Sequence, residues 1–245
     1  MNDDPILAAP LGKVTEAVES YTPELLYPIP RRAARDRLGL AREELPFTGI
    51  DVWTLYEISW LDHEGKPHNA IGQLRVPADS EFLVESKSLK LYLGSLNHAV
   101  FDSAEALADI IKRDLERVLG APVELTLHPG ANPQALAPTV LPGECLDGLP
   151  LKTSRYVPDS SLLRFSGTDS DEELLYSDLF RSQCPVTGQP DWASVCIAYR
   201  GRSIDHTSLL QYLVSYRKHA GFHEQCVEQI FVDILKRCEP ELLTV

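Results

Sequence analysis

No apolar run in this 245-residue sequence approaches the roughly 20 residues that a membrane-crossing helix requires, which excludes a helical span. Positive charge is scarce: 23 Lys and Arg stand against 36 Asp and Glu, a formal net charge of −13. Surfaces for nucleic acid or anionic membranes concentrate Lys and Arg to neutralise phosphates, so neither partner is expected and a phosphate-bearing ligand must find a local basic patch. Neither G-x-G-x-x-G nor a Walker motif occurs, so no phosphate-cradling loop announces a nucleotide. Cysteine is sparse, odd in number and irregularly spaced, at 145, 184, 196, 226 and 238. A small secreted domain stapled by disulfides carries a dense, even set, so a reducing cytoplasm is the expected compartment. The opening MNDDPILAAPLGK is acidic where a secretory signal is basic.

What is present is an ordinary globular composition, 44% hydrophobic and 24% charged, enough for one large domain or two smaller ones with real cores. Residues 1–49, with LLYPIPRRAARDRLGL, read as an extended arm and a short basic segment: a strap, not a domain. IDVWTLYEISWL and AIGQLRVP, separated by the turn-like DHEGKPHN, predict a hairpin. Leu89, Tyr92, Leu93 and Leu96 follow at helical spacing. Ser103 is placed to cap a second helix, with Glu105 in its first turn, Leu107, Ile110, Ile111, Leu115 and Val118 on its apolar face, and Gly120 at its end. PVELTLHPG alternates Val123, Leu125 and Leu127 as a strand does. Residues 129–159, rich in Pro and Gly, read as a linker. Beyond it SLLRFSG and WASVCIAYRG predict strands, and Asp205 a cap for a helix carrying Leu209, Leu210, Leu213 and Val214. A last helix runs from His223 to Cys238, its apolar side made by Val227, Ile230, Phe231, Ile234 and Leu235. The expected organisation is α+β, with an arm (1–49), a first module (50–128), a linker (129–159) and a second module (160–245).

The order of elements recurs. At an offset of 120, Ser88 matches Ser208, Leu89 matches Leu209, and Tyr92, Leu93 and Ser95 match Tyr212, Leu213 and Ser215. With one gap, FDS at 101–103 falls on FHE at 222–224. The copies differ where chemistry would lie, with Glu85 against Asp205, and Asp102 and Ser103 against His223 and Glu224. Complementary loss of this kind predicts one pocket assembled from both halves.

Three stretches carry candidate chemistry. In SQCPVTGQPDW (182–192) the turn formers Pro185, Gly188 and Pro190 fold the chain back and bring Asp191 toward Cys184. Cys184 reads either as a nucleophile, active as its thiolate, or as a structural thiol. Cys196 lies within a strand pattern and reads as core, and Cys145 and Cys238 have no evident partners. In HAGFHEQC, His219, His223 and Cys226 are potential metal ligands, but without a C-x-x-C pair, and His223 and Glu224 read equally as first-turn residues of a helix. In ESKSLK, Lys87 and Lys90 suit either a phosphate or plain solvation.

Together these segments closely resemble the long, two-module form of the QueF-type nitrile reductases. The likeness runs through LLYPIPR, LPFTGIDVWTLYEISWLDHEGKP, ESKSLKLYLGSLN, SQCPVTGQPDW and FHEQC, and ESKSLKLY matches the motif that separates this family from related GTP cyclohydrolases. The resemblance implies tandem tunnelling-fold modules with helices packed on one face of antiparallel sheets. It further implies reduction of 7-cyano-7-deazaguanine to its aminomethyl counterpart with two NADPH, in tRNA queuosine biosynthesis, by a cytoplasmic homodimer. In that reading Cys184 forms a covalent thioimide, Asp191 moves protons and His223 assists. Glu85 and Glu224 bind the ring, Phe222 packs on it, and no metal takes part. Family chains continue past CEPELLTV through a strand and an arginine-rich tail, whereas this sequence stops at Val245. The expected NADPH contacts are therefore Ser86, Lys87, Lys90, Arg200 and Arg202. A reversible Cys184–Cys226 disulfide is a further hypothesis. Two other readings fit the same fold: a zinc-dependent, cyclohydrolase-like hydrolase and a non-catalytic deazapurine-binding protein.

Overall fold

The computed structural model describes residues 9–14, 18, 20–41, 44–130 and 140–245, apart from the side chains of 168–171. Parts of the predicted arm (1–8, 15–17, 19 and 42–43) and of the predicted linker (131–139) lie outside the described residues. The chain forms two units, Met1–Pro138 and Thr139–Val245. It is a mixed α+β protein.

In the first unit β1 (Pro28–Pro30) precedes a short helix, α1 (Arg32–Arg37), and the hairpin of β2 (Ile50–Leu61) and β3 (Pro67–Pro77) follows. Then come β4 (Phe82–Val84), α2 (Ser86–Ser95), α3 (Ala104–Leu119) and β5 (Glu124–Pro129). β2, β3 and β5 make an antiparallel sheet in that order, and β1 pairs with β4, Ile29 opposite Leu83. The predicted strap thus belongs to the first unit, with Leu26 and Ile29 buried. α3 starts where Ser103 Oγ accepts the Ala106 N–H at 3.2 Å and ends at Gly120 in the left-handed region, φ 68°. Leu107, Ile111, Leu115 and Leu119 are fully buried, while Ile110 and Val118 are only half-buried. Each such burial stabilises by about 1.5–3 kcal/mol.

The second unit holds β6 (Glu144–Cys145), β7 (Phe165–Gln183), β8 (Pro190–Ile204), α4 (His206–Ser215), α5 (His223–Cys238) and β9 (Leu242–Thr244). The four strands form one sheet in the order β6, β7, β8, β9. This sheet departs from the expected wholly antiparallel pattern: β6 lies parallel to β7, within the segment read as linker. Ser161 and Leu162, expected in a strand, lie in a turn of 3-10 helix (Ser160–Leu162) in which Asp159 Oδ1 accepts the Ser161 N–H at 2.9 Å. The strand begins at Phe165 and runs for 19 residues. Val227, assigned to the apolar side of α5, is exposed, and Cys226 and Val232 are buried instead.

The two units are wired alike. Glu85 caps α2, its Oε2 accepting the Ser88 N–H at 2.7 Å, and Asp205 Oδ1 takes the Ser208 N–H of α4 at 2.7 Å. The hydroxyls of Ser88 and Ser208 bond back to the cap carbonyls, each at 2.7 Å. Tyr92 donates to buried Asp114 at 2.8 Å, and Tyr212 to Asp233 at 2.6 Å. α3 and α5 are both 16 residues long. Their N-caps are Ser103 and Phe222, which shifts the sequence match of FDS with FHE by two residues. His223 and Glu224 therefore correspond to Ala104 and Glu105, not to Asp102 and Ser103. At the other end Glu239, with φ 49°, holds the left-handed position that Gly120 holds in the first unit. A side chain there costs about 1 kcal/mol. Glu239→Gly is accordingly expected to stabilise the second unit by about that amount, read as a raised denaturation midpoint; an unchanged or lower midpoint contradicts it.

Candidate active site

The far end of the β7–β8 ribbon is the chemically dense part of the second unit. Ser182 faces Asp191 and Gln183 faces Pro190 in the antiparallel register. Opposed residues share a face and alternate residues return to it, so Phe180, Ser182 and Cys184 point the same way as Asp191. The ribbon closes through the Cys184 N–H to Gln189 O at 2.8 Å and the Gly188 N–H to Cys184 O at 2.9 Å. Cys184 is buried, 9% exposed, and Asp191 is half-buried.

The other edge of β7 carries a second partner. The Gln183 N–H donates to His219 O at 2.8 Å and the Gly221 N–H donates to Gln183 O at 3.1 Å, a parallel bridge centred on Ala220. The bridge brings the start of α5 to the Cys184 turn. A Cβ on Gly221 would stand 2.9 Å from His219 Nε2 and 3.5 Å from Cys226 Sγ, so a side chain there would force the His219 ring to move. Phe222 caps α5 without an acceptor of its own, and Gln225 Oε1 takes the Phe222 N–H at 3.3 Å. The exposed His223 ring meets the edge of Phe180 at 6.4 Å between centroids. Glu224 is half-buried in the first turn. Cys226, 2% exposed, lies beneath: burial pushes its thiol up to about 12, with the Glu224 and Asp191 carboxylates adding to the effect and the Ser182 hydroxyl opposing it.

This end of the second unit therefore gathers Cys184, Asp191, Phe222, His223 and Glu224, all named from sequence. It adds two residues that sequence reasoning missed as site members, Ser182 and Gly221. Their only sequence signal is position, one two residues before Cys184 and the other immediately before FHEQC.

Comparison with known proteins bears on what such a site does. Residues 17–127 match the family profile described as nitrile reductase, 7-cyano-7-deazaguanine-reductase N-term, and residues 190–245 match the profile described as QueF-like protein. The NADPH-dependent 7-cyano-7-deazaguanine reductase of Dechloromonas aromatica (strain RCB) is 51% identical over 243 residues, 99% of this chain and 86% of the relative. The chain belongs to the QueF nitrile reductase family. Enzymes of the same name from Paraburkholderia phymatum (50% over 238 residues) and Chromohalobacter salexigens (51% over 237) also match, covering 97% of this chain and 86% and 85% of the relatives.

Of the other residues named from sequence, Glu85, Ser86, Lys87 and Lys90 belong to the first unit, and Arg200 and Arg202 to β8 of the second. Glu85 is 1% exposed and its carboxylate accepts the Lys87 and Ser88 N–H groups at 2.8 and 2.7 Å, which leaves further lone pairs on each oxygen. Beside it, in the first unit, a cavity of about 240 Å³ opens between β2 and α2, lined by Trp53, Tyr56, Glu57, Ser86, Leu89 and Lys90 among others. Aromatic faces, a hydroxyl and a cation suit part of a nucleotide cofactor. Lys90 pairs there with Glu57 at 3.0 Å and Lys87 donates to Lys13 O. Such exposed pairs hold weakly enough, at about 0–1 kcal/mol, for a phosphate to displace them. Arg200 pairs with Glu241 at 2.9 Å, and the Arg202 guanidinium lies 3.7 Å from the Phe165 ring centroid. Nine and eleven residues beyond Asp191 on β8, they stand on the order of 30 Å along the strand from the Cys184 turn. Among the described residues no group of three His, Cys, Asp or Glu is arranged to hold a metal ion.

All five cysteines are free. Burial pushes the Cys238 thiol up to about 11, as it pushes Cys226 up. Their folded pKa values lie above the ordinary 9.0, so the stability they contribute is complete below pH 9 and is lost as pH rises toward 11 and 12. At pH 8 a thiol reagent should label exposed Cys145 first and spare Cys226 and Cys238 until the chain unfolds, by peptide mapping. Early labelling of Cys226 contradicts this arrangement.

Proposed function

We propose that this chain reduces the nitrile of 7-cyano-7-deazaguanine to a primary amine at the expense of two NADPH, with Cys184 as nucleophile. The observation that carries the reading is the shared face of Cys184 and Asp191, with the start of α5, which carries Phe222, His223 and Glu224, tied to the same ribbon by the bonds of Gln183 to His219 and Gly221.

A nitrile carbon is electrophilic. The Cys184 sulfur adds to it, one π bond of the C≡N group opens, and the thiol proton passes through Asp191 to the nitrogen, giving a thioimide with no group lost. NADPH, when bound, supplies a hydride to this carbon. Asp191 and His223 then deliver protons to the nitrogen, His223 drawing on solvent because it is exposed. Expulsion of the Cys184 sulfur, with Asp191 returning a proton from the nitrogen to it, frees an imine and restores the thiol, and reduction of the imine carbon with one further proton on the nitrogen completes the amine. The balance is one nitrile, two NADPH and two protons in, and one amine and two NADP⁺ out. Partial burial of the site keeps water from the thioimide. Glu224 and Glu85 accept hydrogen bonds from the ring N–H and amino groups, and Phe222 packs on its face.

Ser86, Lys87 and Lys90 are assigned to the cofactor, supported by the cavity beside them. Arg200 and Arg202 are assigned to the cofactor as well. We read the protein as a homodimer of chains that each hold two tunnelling-fold modules, working in the cytoplasm on a small molecule rather than directly on nucleic acid. The like wiring of the two units supports the tandem modules, and five free cysteines support the compartment.

With nitrile limiting, NADPH consumption should be two per nitrile. Cys184→Ala should abolish it, and Asp191→Asn should slow it by about 10²-fold or more. Turnover by Cys184→Ala at the wild-type rate would remove the covalent route.

A further inference from the structure

Ser182 Oγ is, among the described residues, the one buried side-chain polar atom without a hydrogen-bond partner. The residue is 0% exposed. A buried hydroxyl left unpaired costs about 1–3 kcal/mol, and native chains satisfy nearly all such groups. An exception beside a reactive centre is a candidate for a group whose partner arrives during the reaction.

Its surroundings narrow the choice of partner. Ser182 lies directly opposite Asp191 in the ribbon, where opposed Cβ atoms stand about 4.5–5.5 Å apart on one face. Cys184 is two residues further along the same face. The Cys226 thiol is close enough for the Ser182 hydroxyl to oppose the rise in its pKa, but the pair falls outside hydrogen-bond distance and angle, and a neutral thiol is a weak acceptor, so this contact leaves the hydroxyl available to a stronger one. The other titratable groups gathered here, His219, His223 and Glu224, come from the bridged segment and the start of α5. A carboxylate is the strongest acceptor within reach, and the opposed one belongs to the residue that moves the proton.

Resting on the proposed reaction, we infer that Ser182 is a positioning residue for Asp191: its hydroxyl, unpaired in the free chain, donates to the Asp191 carboxylate as the thiol proton of Cys184 is transferred. The bond forms as Asp191 handles the thiol proton, and it orients the carboxylate between the Cys184 sulfur and the nitrile nitrogen. Because it is made during the reaction and not before it, it speeds thioimide formation without tightening nitrile binding.

The test compares wild type and Ser182→Ala, mixed with 7-cyano-7-deazaguanine and no NADPH. Calorimetry gives nitrile affinity, stopped-flow absorbance the rate of thioimide formation, and thermal melting the stability. The inference predicts affinity within about twofold, thioimide formation slower by about tenfold, and a melting temperature equal to or above wild type, because an unsatisfied buried hydroxyl has been removed. A wild-type rate in the variant overturns it. So does a variant that melts lower, fails to fold or loses affinity, since Ser182 would then serve packing. If wild type itself forms no thioimide, the underlying reaction fails and this inference falls with it.

Discussion

Two backbone hydrogen bonds at Gln183 hold the site together. β7 ends between two partners, β8 on one edge and residues 219–221 on the other, and the second pairing is made by the Gln183 N–H to His219 O and the Gly221 N–H to Gln183 O. Each such bond contributes only about 0.5–1.5 kcal/mol net. Their geometric effect is larger, because they fix the first turn of α5 against the turn that carries Cys184. Gly221 permits the approach, since any side chain there would press on His219 and Cys226. Without this clamp the thiol and the FHE segment would belong to separate elements with no reason to meet.

The second unit gives up local stability at this place. In the first unit the corresponding helix begins with Ser103, whose hydroxyl accepts a first-turn N–H. In the second unit Phe222 stands at that position and offers no side-chain oxygen, and Gln225 reaches back to the Phe222 N–H instead. Loss of a capping oxygen ordinarily costs about 1 kcal/mol. In exchange the position carries an aromatic side chain next to Gly221, the residue bonded to Gln183. The anchors deeper in the helices, Tyr92 with Asp114 and Tyr212 with Asp233, retain their form in both units. Change is concentrated where a ligand would bind, and the supports beneath are alike.

Local signals in the sequence located much of this. Apolar spacing, Ser103, Gly120 and the FHE start bounded α3 and α5, because capping and 3.6-residue periodicity act over a few neighbours. ESKSLKLY and SQCPVTGQPDW point to the family by themselves. Backbone pairing between distant segments was not legible: the Gln183 bridge uses N–H and C=O groups that every residue carries. Ser182 escaped notice for the same reason, since its importance lies in the residue across the ribbon. Asp114 lies outside the apolar pattern of its helix, and its burial follows from the bonds it accepts from Tyr21 and Tyr92; the repeat of Tyr and Asp at nearly one offset is the sequence signal for it. The acidic stretch before Leu174 hid the true length of β7, where pairing with β8 prevails over weak local propensity.

The central claim is that Cys184 is the group that bonds to the nitrile carbon. Intact-mass spectrometry of the chain mixed with 7-cyano-7-deazaguanine in the absence of NADPH tests it most directly. Addition expels nothing, so the account predicts a gain of one whole nitrile, carried by the peptide that holds Cys184 and absent from Cys184→Ala. An unmodified chain at saturating nitrile, or an adduct mapped to Cys226 or Cys145, would contradict it.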